Sequence, residues 1–120
     1  MNDTMHAILL VDDEPMLLEL LESYLSDLGY HITACGSGKE GLRALTKQTY
    51  DVTICDLNMP GIDGLTVVHQ YKNQNPRGFS ILYTGTGDQS ASNDPHVDIF
   101  LTKPFDLPKM HHLIQQLPNP

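Results

Sequence analysis

The stretch that decides the fold is AILLVDDEP at residues 7–15. Residues 7–11 are all apolar, and such a short uninterrupted run is typical of a strand that helices cover on both faces of a parallel sheet. The three acids that follow end the strand and suit the N-terminus of a helix, where Pro15 fits the first turn. This stretch therefore predicts a buried strand that leads through an acidic turn into a helix.

The alternation of strand and helix repeats along the rest of the chain. Apolar residues at three- and four-residue steps predict a first helix from Leu17 to Leu28, which Gly29 ends. Further helices are expected after Ser37, which forms a capping box with Glu40, then near residues 65–71, and after Asp106 up to Leu117. Further strands are expected at residues 31–35, 52–55, 80–83 and 99–102. Five strands alternating with helices indicate a single α/β domain with a parallel sheet.

One segment does not fit the alternation. Residues 85–95 consist largely of Gly, Asp, Ser, Asn and Pro, which favour turns over helix. We therefore expect the helix between the fourth and fifth strands to be short, irregular or mobile.

Length and charge exclude several classes of function. The chain has 120 residues, enough for one domain, and its formal net charge is −8. An acidic chain is a poor match for nucleic acid or for an anionic membrane, and no apolar run is long enough to span a bilayer. No secretory signal is visible, so we expect a cytoplasmic protein whose Cys35 and Cys55 stay reduced. Residues 1–6 are expected to be frayed, and residues 118–120 to be a tail or the start of a linker.

Polar residues stand where four of the strands end: Asp12 and Asp13, Asp56, Thr84 and Lys103. The carboxyl ends of parallel strands meet at one edge of the sheet, which is where ligands bind in open α/β sheets. Three clustered carboxylates need a compensating cation, and oxygen ligands favour Mg²⁺. Carboxylates, Mg²⁺, an ammonium group and a hydroxyl suit phosphoryl transfer, with Asp56 as the nucleophile. The six histidines, in contrast, share no metal-ligand spacing with Cys or acidic neighbours.

Four motifs make the chain resemble the receiver domains of response regulators, the CheY-like family of two-component signalling systems. The matching motifs are residues 10–15 (LVDDEP), Asp51-Val52 with residues 55–64 (CDLNMPGIDG), Thr84-Gly85 and residues 103–105 (KPF). The resemblance implies a flavodoxin-like (βα)5 fold with strand order 2-1-3-4-5. It also implies that Asp56 accepts a phosphoryl group from a histidine kinase or a histidine phosphotransfer protein.

The resemblance further implies how the site is built. Asp13 would bind Mg²⁺ directly, Asp12 would bind it through water or orient it, and the backbone carbonyl of Asn58 would complete the protein ligands beside Asp56. Lys103 would pair with Asp56 and later with its phosphate, and the Lys103-Pro104 peptide bond is expected to be cis.

The same resemblance implies a conformational switch. Thr84 would bond a phosphate oxygen, and Phe100 would turn inward and alter the surface seen by a partner protein or effector domain. Asn58 and Thr86 would border the path of the water that removes the phosphate.

Two alternatives remain open from the sequence. A Mg²⁺-dependent phosphatase with an Asp nucleophile would need a second Asp two residues later, where this chain has Asn58. A phosphorylation-independent interaction module would agree with the unusual segment 85–95, and that segment puts in doubt any dimerisation through the face next to the fourth helix.

Overall fold

Each apolar run of the sequence forms a strand. The computed structural model describes residues 6–116, and the part it describes contains five strands and four helices. They are β1 Ala7–Val11, α1 Pro15–Asp27, β2 His31–Cys35, α2 Gly38–Leu45, β3 Val52–Asp56, α3 Gly64–Gln74, β4 Phe79–Thr84, β5 Ile99–Thr102 and α4 Leu107–Gln115. The predicted strands are confirmed to within one residue at each end.

The chain ends lie outside the described residues. These include residues 1–5 of the expected frayed segment, Leu117 at the expected end of the last helix, and the tail at 118–120. His6 is buried, and its carbonyl accepts a hydrogen bond from the backbone N–H of His31 at 3.0 Å.

The five strands form one parallel sheet in the order β2-β1-β3-β4-β5, as expected. After β2 is placed on one side of β1, the chain crosses to add β3 on the other side. The sheet therefore has its switch in strand order at β1 and β3, where such sheets bind ligands. Val11 pairs with Cys55, so the residues that follow β1 lie beside the end of β3.

Alternation along the strands divides the core into two layers. One layer packs the sheet against α1 and α4, and the other packs it against α2 and α3. Ile8 and Leu10 of β1 belong to the first layer, and Leu9 and Val11 to the second. Both faces of the sheet are thus buried, which explains why the central strands are apolar without interruption.

The helix ends follow the predicted capping only in part. The hydroxyl of Ser37 accepts the N–H of Glu40 at 3.1 Å, and the Glu40 carboxylate accepts the N–H of Gly36 at 3.1 Å. Asp106 occupies the N-cap position of α4, but its side chain makes no capping hydrogen bond. Pro108 in the first turn has no N–H to be capped, which lessens the need for one.

The segment between β4 and β5 forms consecutive turns and no helix. Backbone N–H groups of Ser92, Asp94 and Val97 each donate to the carbonyl three residues earlier, at 3.0–3.1 Å. Gly87 adopts a φ of 81°, which no helix accommodates. The expectation of an irregular fourth helix is therefore confirmed, and the receiver-like (βα)5 pattern lacks one helix here.

Within residues 6–116, no helix is both long enough and apolar enough to cross a membrane.

Candidate functional site

Three carboxylates meet at the edge of the sheet where β1 and β3 end. Asp12 and Asp56 are 1% and 4% exposed, whereas Asp13 faces solvent. One oxygen from each of the three lies within 4.8 Å of the others. The structure thus brings together the acids that the sequence placed at the strand ends, and we call Asp12, Asp13 and Asp56 the acidic pocket.

Lys103 approaches the acidic pocket from the end of β5. Its Nζ lies 3.8 Å from Oδ2 of Asp56, 3.7 Å from Oδ2 of Asp12 and 3.3 Å from Oε1 of Glu14. Partial burial works to lower the pKa of Lys103, but the carboxylates of Asp12 and Asp56 outweigh it and raise that pKa above its usual value. The side chain is therefore an ammonium group that neutralises part of the pocket. The Lys103-Pro104 peptide bond is cis, as expected.

The arrangement shifts the pKa of the Asp56 carboxyl. Burial raises the pKa of its carboxyl to about 6 from 3.8. The backbone N–H of Asn58, which donates to Oδ1 at 3.1 Å, and Lys103 act in the opposite direction, while Asp12 adds to the increase. The pocket contains three carboxylates and one lysine, so its net charge is negative and favours a further cation.

Thr84 lies beside the acidic pocket, but its hydroxyl is hydrogen-bonded to Asn58 and not to the carboxylates. The hydroxyl is fully buried and donates to Oδ1 of Asn58 at 2.6 Å. Thr86 donates to the same oxygen at 3.2 Å, and the amide nitrogen of Asn58 donates to Asp88 at 3.4 Å. Thr84, Asn58 and Thr86, each singled out from the sequence, thus form one hydrogen-bonded group, which we call the Asn58 cluster.

Phe100 lies on the side of the sheet that faces α3. It pairs with Leu82 across β4 and β5, is partly buried, and packs with the core layer that contains Ala91 and Val97. Its role in a switch stays a prediction.

Tyr83 is a further residue of the site that the strand-end pattern does not indicate. Its hydroxyl donates to Oδ2 of Asp12, while Oδ1 of Asp12 accepts the N–H of Glu14 at 2.8 Å, so both carboxylate oxygens are held. The ring lies beneath Lys103, whose Nζ is 5.3 Å from the ring centroid. Burial, and then the charge of Asp12, raise the pKa of Tyr83 well above its usual value, so the phenol remains a donor. A buried Tyr usually finds a partner for its hydroxyl, and that rule was the available signal.

The ligands that the pocket offers suit Mg²⁺. Its donor atoms are all oxygens, and its three carboxylates outnumber the one lysine that faces them. Mg²⁺ prefers a few carboxylates and keeps several waters, and the exposed side of Asp13 leaves room for them. The chemistry of the donors therefore fits the cation that the sequence indicated.

Comparison with known proteins gives a consistent result. Residues 8–115 match the family model described as response regulator receiver domain. The chain is 37% identical over 110 residues to the transcriptional regulatory protein GlrR of Escherichia coli, an alignment that covers 89% of this chain and 25% of GlrR. It is 34% identical over 104 residues to the probable transcriptional regulatory protein TcrX of Mycobacterium tuberculosis, with coverage of 84% and 44%. The chain thus spans less than half the length of these curated relatives.

Solved structures agree with the sequence relatives. The response regulator protein TrrA from Thermotoga maritima, in complex with Mg(2+)-BeF, superposes with a TM-score of 0.84 at 31% identity, covering 95% of this chain and 100% of TrrA. A receiver domain protein from Methanospirillum hungatei superposes with a TM-score of 0.87 at 21% identity, covering 93% and 92%, and supports the fold alone.

Proposed function

The chain belongs to the response regulator receiver domain family of two-component systems, and from this premise we propose that it is a cytoplasmic phosphorylatable signalling switch. Asp56 accepts a phosphoryl group from a histidine kinase or a histidine phosphotransfer protein, with Mg²⁺ bound. The observation that carries the proposal is the pairing of a buried Asp56 with two further carboxylates and one lysine at a single sheet edge.

Mg²⁺ would be held by Asp13 and Asp56 and by the backbone carbonyl of Asn58, while Asp12 would bind it through water or orient it. When bound, it supplies positive charge to the oxygens of the phosphoryl group. The complex of TrrA with Mg(2+)-BeF supports Mg²⁺ as the cation.

The acceptor chemistry rests on Asp56 and Lys103. An oxygen of Asp56 attacks the phosphorus of a phosphohistidine, and the new O–P bond forms as the P–N bond breaks. The imidazole nitrogen keeps the bonding electron pair and takes up a proton from solvent. Lys103, held as an ammonium group within 3.8 Å of Asp56, faces the negative charge that gathers on the phosphoryl oxygens. Catalysis of this kind is mostly positioning and electrostatic stabilisation.

The output begins at the Asn58 cluster. A phosphoryl group on Asp56 adds charged acceptor oxygens, which bond a hydroxyl more strongly than the neutral amide oxygen of Asn58 does. Thr84 therefore leaves Asn58 for the phosphate. We propose that Phe100 then repacks in the space this opens. Phosphate acts by favouring one of two packings, and an effector domain or partner protein reads the difference.

The surface next to the pocket suits a protein donor. A cavity of about 460 Å³ lies beside Lys103 and Pro104, between Leu17 and Leu20 of α1 and Phe105 and Leu107 at the start of α4. Met16 and Leu20 of α1 are 82% and 53% exposed at this edge. Exposed apolar groups near the acceptor offer contact area to a donor protein, whereas the acidic charge of the domain offers nothing to nucleic acid or membrane.

The proposal is tested by incubating the protein with Mg²⁺ and acetyl phosphate and recording the intact mass. We expect one phosphate adduct that a chelator prevents. Absence of an adduct with acetyl phosphate and with other small phosphodonors would overturn the proposal in favour of a phosphorylation-independent interaction module. Rapid multiple turnover of phosphomonoesters would overturn it in favour of a phosphatase.

Tyr83→Phe is expected to weaken Mg²⁺ binding about tenfold, because the loss of a hydrogen bond to a metal ligand from its neighbour commonly costs 10–100-fold in affinity. The change removes the donor to Oδ2 of Asp12 and keeps the ring beneath Lys103. Calorimetric titration with Mg²⁺ measures the effect. Tyr24→Phe, which removes a hydroxyl from α1, is the control. Equal affinities in the two variants would show that the Tyr83 hydroxyl does not position Asp12.

A further inference from the structure

A second group of possible metal ligands lies where the turns between β4 and β5 meet α3. His69 comes from α3, and Asp94 and His96 come from the turns between β4 and β5. One ligand atom from each of the three lies within 4.8 Å of the others. Spacing along the sequence does not indicate this group. His69 is 25 residues away from Asp94, so only the fold brings them together.

The two imidazoles contact the two oxygens of the same carboxylate. Nε2 of His69 lies 2.8 Å from Oδ2 of Asp94, and Nδ1 of His96 lies 3.3 Å from Oδ1 of the same carboxylate. The two imidazole rings are tilted by 37° with centroids 4.2 Å apart. Neighbouring ligands of a tetrahedral Zn²⁺ with bonds near 2.1 Å are separated by about 3.4 Å. An ion would therefore require the His69–Asp94 pair, now 2.8 Å apart, to open by about 0.6 Å.

The segment that carries two of the ligands is anchored by other bonds. The hydroxyl of Ser80 donates to the carbonyl of His96 at 2.5 Å, and Lys72 forms an ion pair with Asp98 at 2.8 Å. Lys72 follows His69 by three residues, so both side chains leave the same face of α3. The first bond holds His96 to β4 and the second holds Asp98 to α3, so the segment that carries Asp94 and His96 is fixed by bonds outside the ligand group before any ion arrives.

The charge of the group suits a cation. The Asp94 carboxylate supplies the anionic ligand, and its Oδ1 already accepts the backbone N–H of His96 at 2.8 Å. The side chains of His69 and His96 are 41% and 36% exposed, so water can complete the coordination.

We propose that His69, Asp94 and His96 bind a divalent transition-metal ion of the Zn²⁺ class, with solvent in the remaining positions. Two imidazoles and one carboxylate are a common set of three protein ligands for Zn²⁺. Imidazole nitrogens also make this site unsuitable for Mg²⁺, which prefers oxygen. The ion ties the turns between β4 and β5 to α3, and this inference does not depend on phosphorylation of Asp56.

The test is calorimetric titration of the chelator-treated protein with Zn²⁺, in excess Mg²⁺ so that the acidic pocket is occupied. We expect one Zn²⁺ per chain, with His69→Gln and His96→Gln each weakening the affinity at least tenfold. His112→Gln, at an exposed position of α4, is the control and should bind as the parent does. Tetrahedral absorption bands on titration with Co²⁺ provide a second measurement, expected in the parent and in His112→Gln only.

Three outcomes would overturn the proposal. They are the absence of Zn²⁺ binding, binding that survives both His69→Gln and His96→Gln, and binding that only Asp56→Asn removes. The last would place the ion in the acidic pocket. Hydrogen exchange of residues 86–98 should slow on addition of Zn²⁺ in the parent and remain unchanged in His96→Gln, since the ion adds a bond between the turns and α3.

Discussion

Asp56→Asn is expected to abolish the phosphate adduct formed with acetyl phosphate and Mg²⁺. An amide oxygen is a far weaker nucleophile than a carboxylate, and the neutral amide is also a weaker ligand for Mg²⁺. The side chains have nearly the same shape, so the N–H of Asn58 keeps an acceptor near its present 3.1 Å. Intact-mass measurement gives the result, which we expect to be complete loss of the adduct.

The same variant should be more stable than the parent above pH 6 in the presence of a chelator. Because the pKa of Asp56 is raised to about 6 from 3.8, the folded parent holds this proton more tightly than the unfolded chain does. Its contribution to stability is fully present below pH 4 and is lost as the pH rises to about 6. Asparagine does not titrate, so urea unfolding at several pH values should show this loss in the parent only.

Asp27→Asn is the matched control for both measurements. Asp27 is exposed at the end of α1, and its replacement changes the net charge by the same amount. We expect it to form the adduct and to keep the parent's loss of stability between pH 4 and 6. A phosphate adduct that persists in Asp56→Asn would show that another residue is the acceptor.

Gly64→Ala is expected to destabilise the fold by about 3 kcal/mol, at the upper end of the cost of overpacking a core. Gly64 is the first residue of α3, and a Cβ there would lie 2.1 Å from the carbonyl oxygen of Asp56 and 2.9 Å from Cδ1 of Leu82. The closest atom belongs to the backbone, so no change of rotamer relieves the contact. The higher helix propensity of Ala recovers at most about 1 kcal/mol.

Urea unfolding at pH 7 measures this difference. Gly36→Ala is the control, because a Cβ at Gly36 meets nothing within 4 Å and its φ is not in the left-handed region. We expect Gly36→Ala to change the stability by less than about 0.5 kcal/mol. Equal midpoints for the two variants would mean that α3 moves away from β3 at no cost. Such a movement would contradict the close packing that sets the position of Asp56.

The order of strands and helices was predictable because it depends on local pattern. The apolar runs end at polar or turn-forming residues, and β1, β2 and β5 begin and end where the pattern indicates. The segment between β4 and β5 was also foreseeable, since Gly87 and Pro95 prevent a regular helix. The contacts of this segment were not foreseeable, because its turns pack against α3 through residues distant in sequence.

The acids and the lysine of the site were predictable for a different reason. Parallel strands place their carboxyl ends at one edge, so residues at or just after the ends of β1, β3 and β5 meet whatever the details of packing. Tyr83 was missed because it precedes a strand-end residue and was counted only as an apolar member of β4. Its phenol lies under Lys103 and reaches Asp12, a contact across 71 residues that pattern does not reveal.

The sequence by itself determined the parallel α/β fold, the edge at which a site forms, and the identity of the acids and lysine in it. The reason is that period, turn chemistry and strand direction are properties of short segments. Only the tertiary structure decided how each polar side chain is used. Thr84 is bonded to Asn58, Asp12 is held by Tyr83, and His69 meets Asp94. These bonds form only when the segments are positioned to within about an ångström, and the packing of the whole core sets those positions.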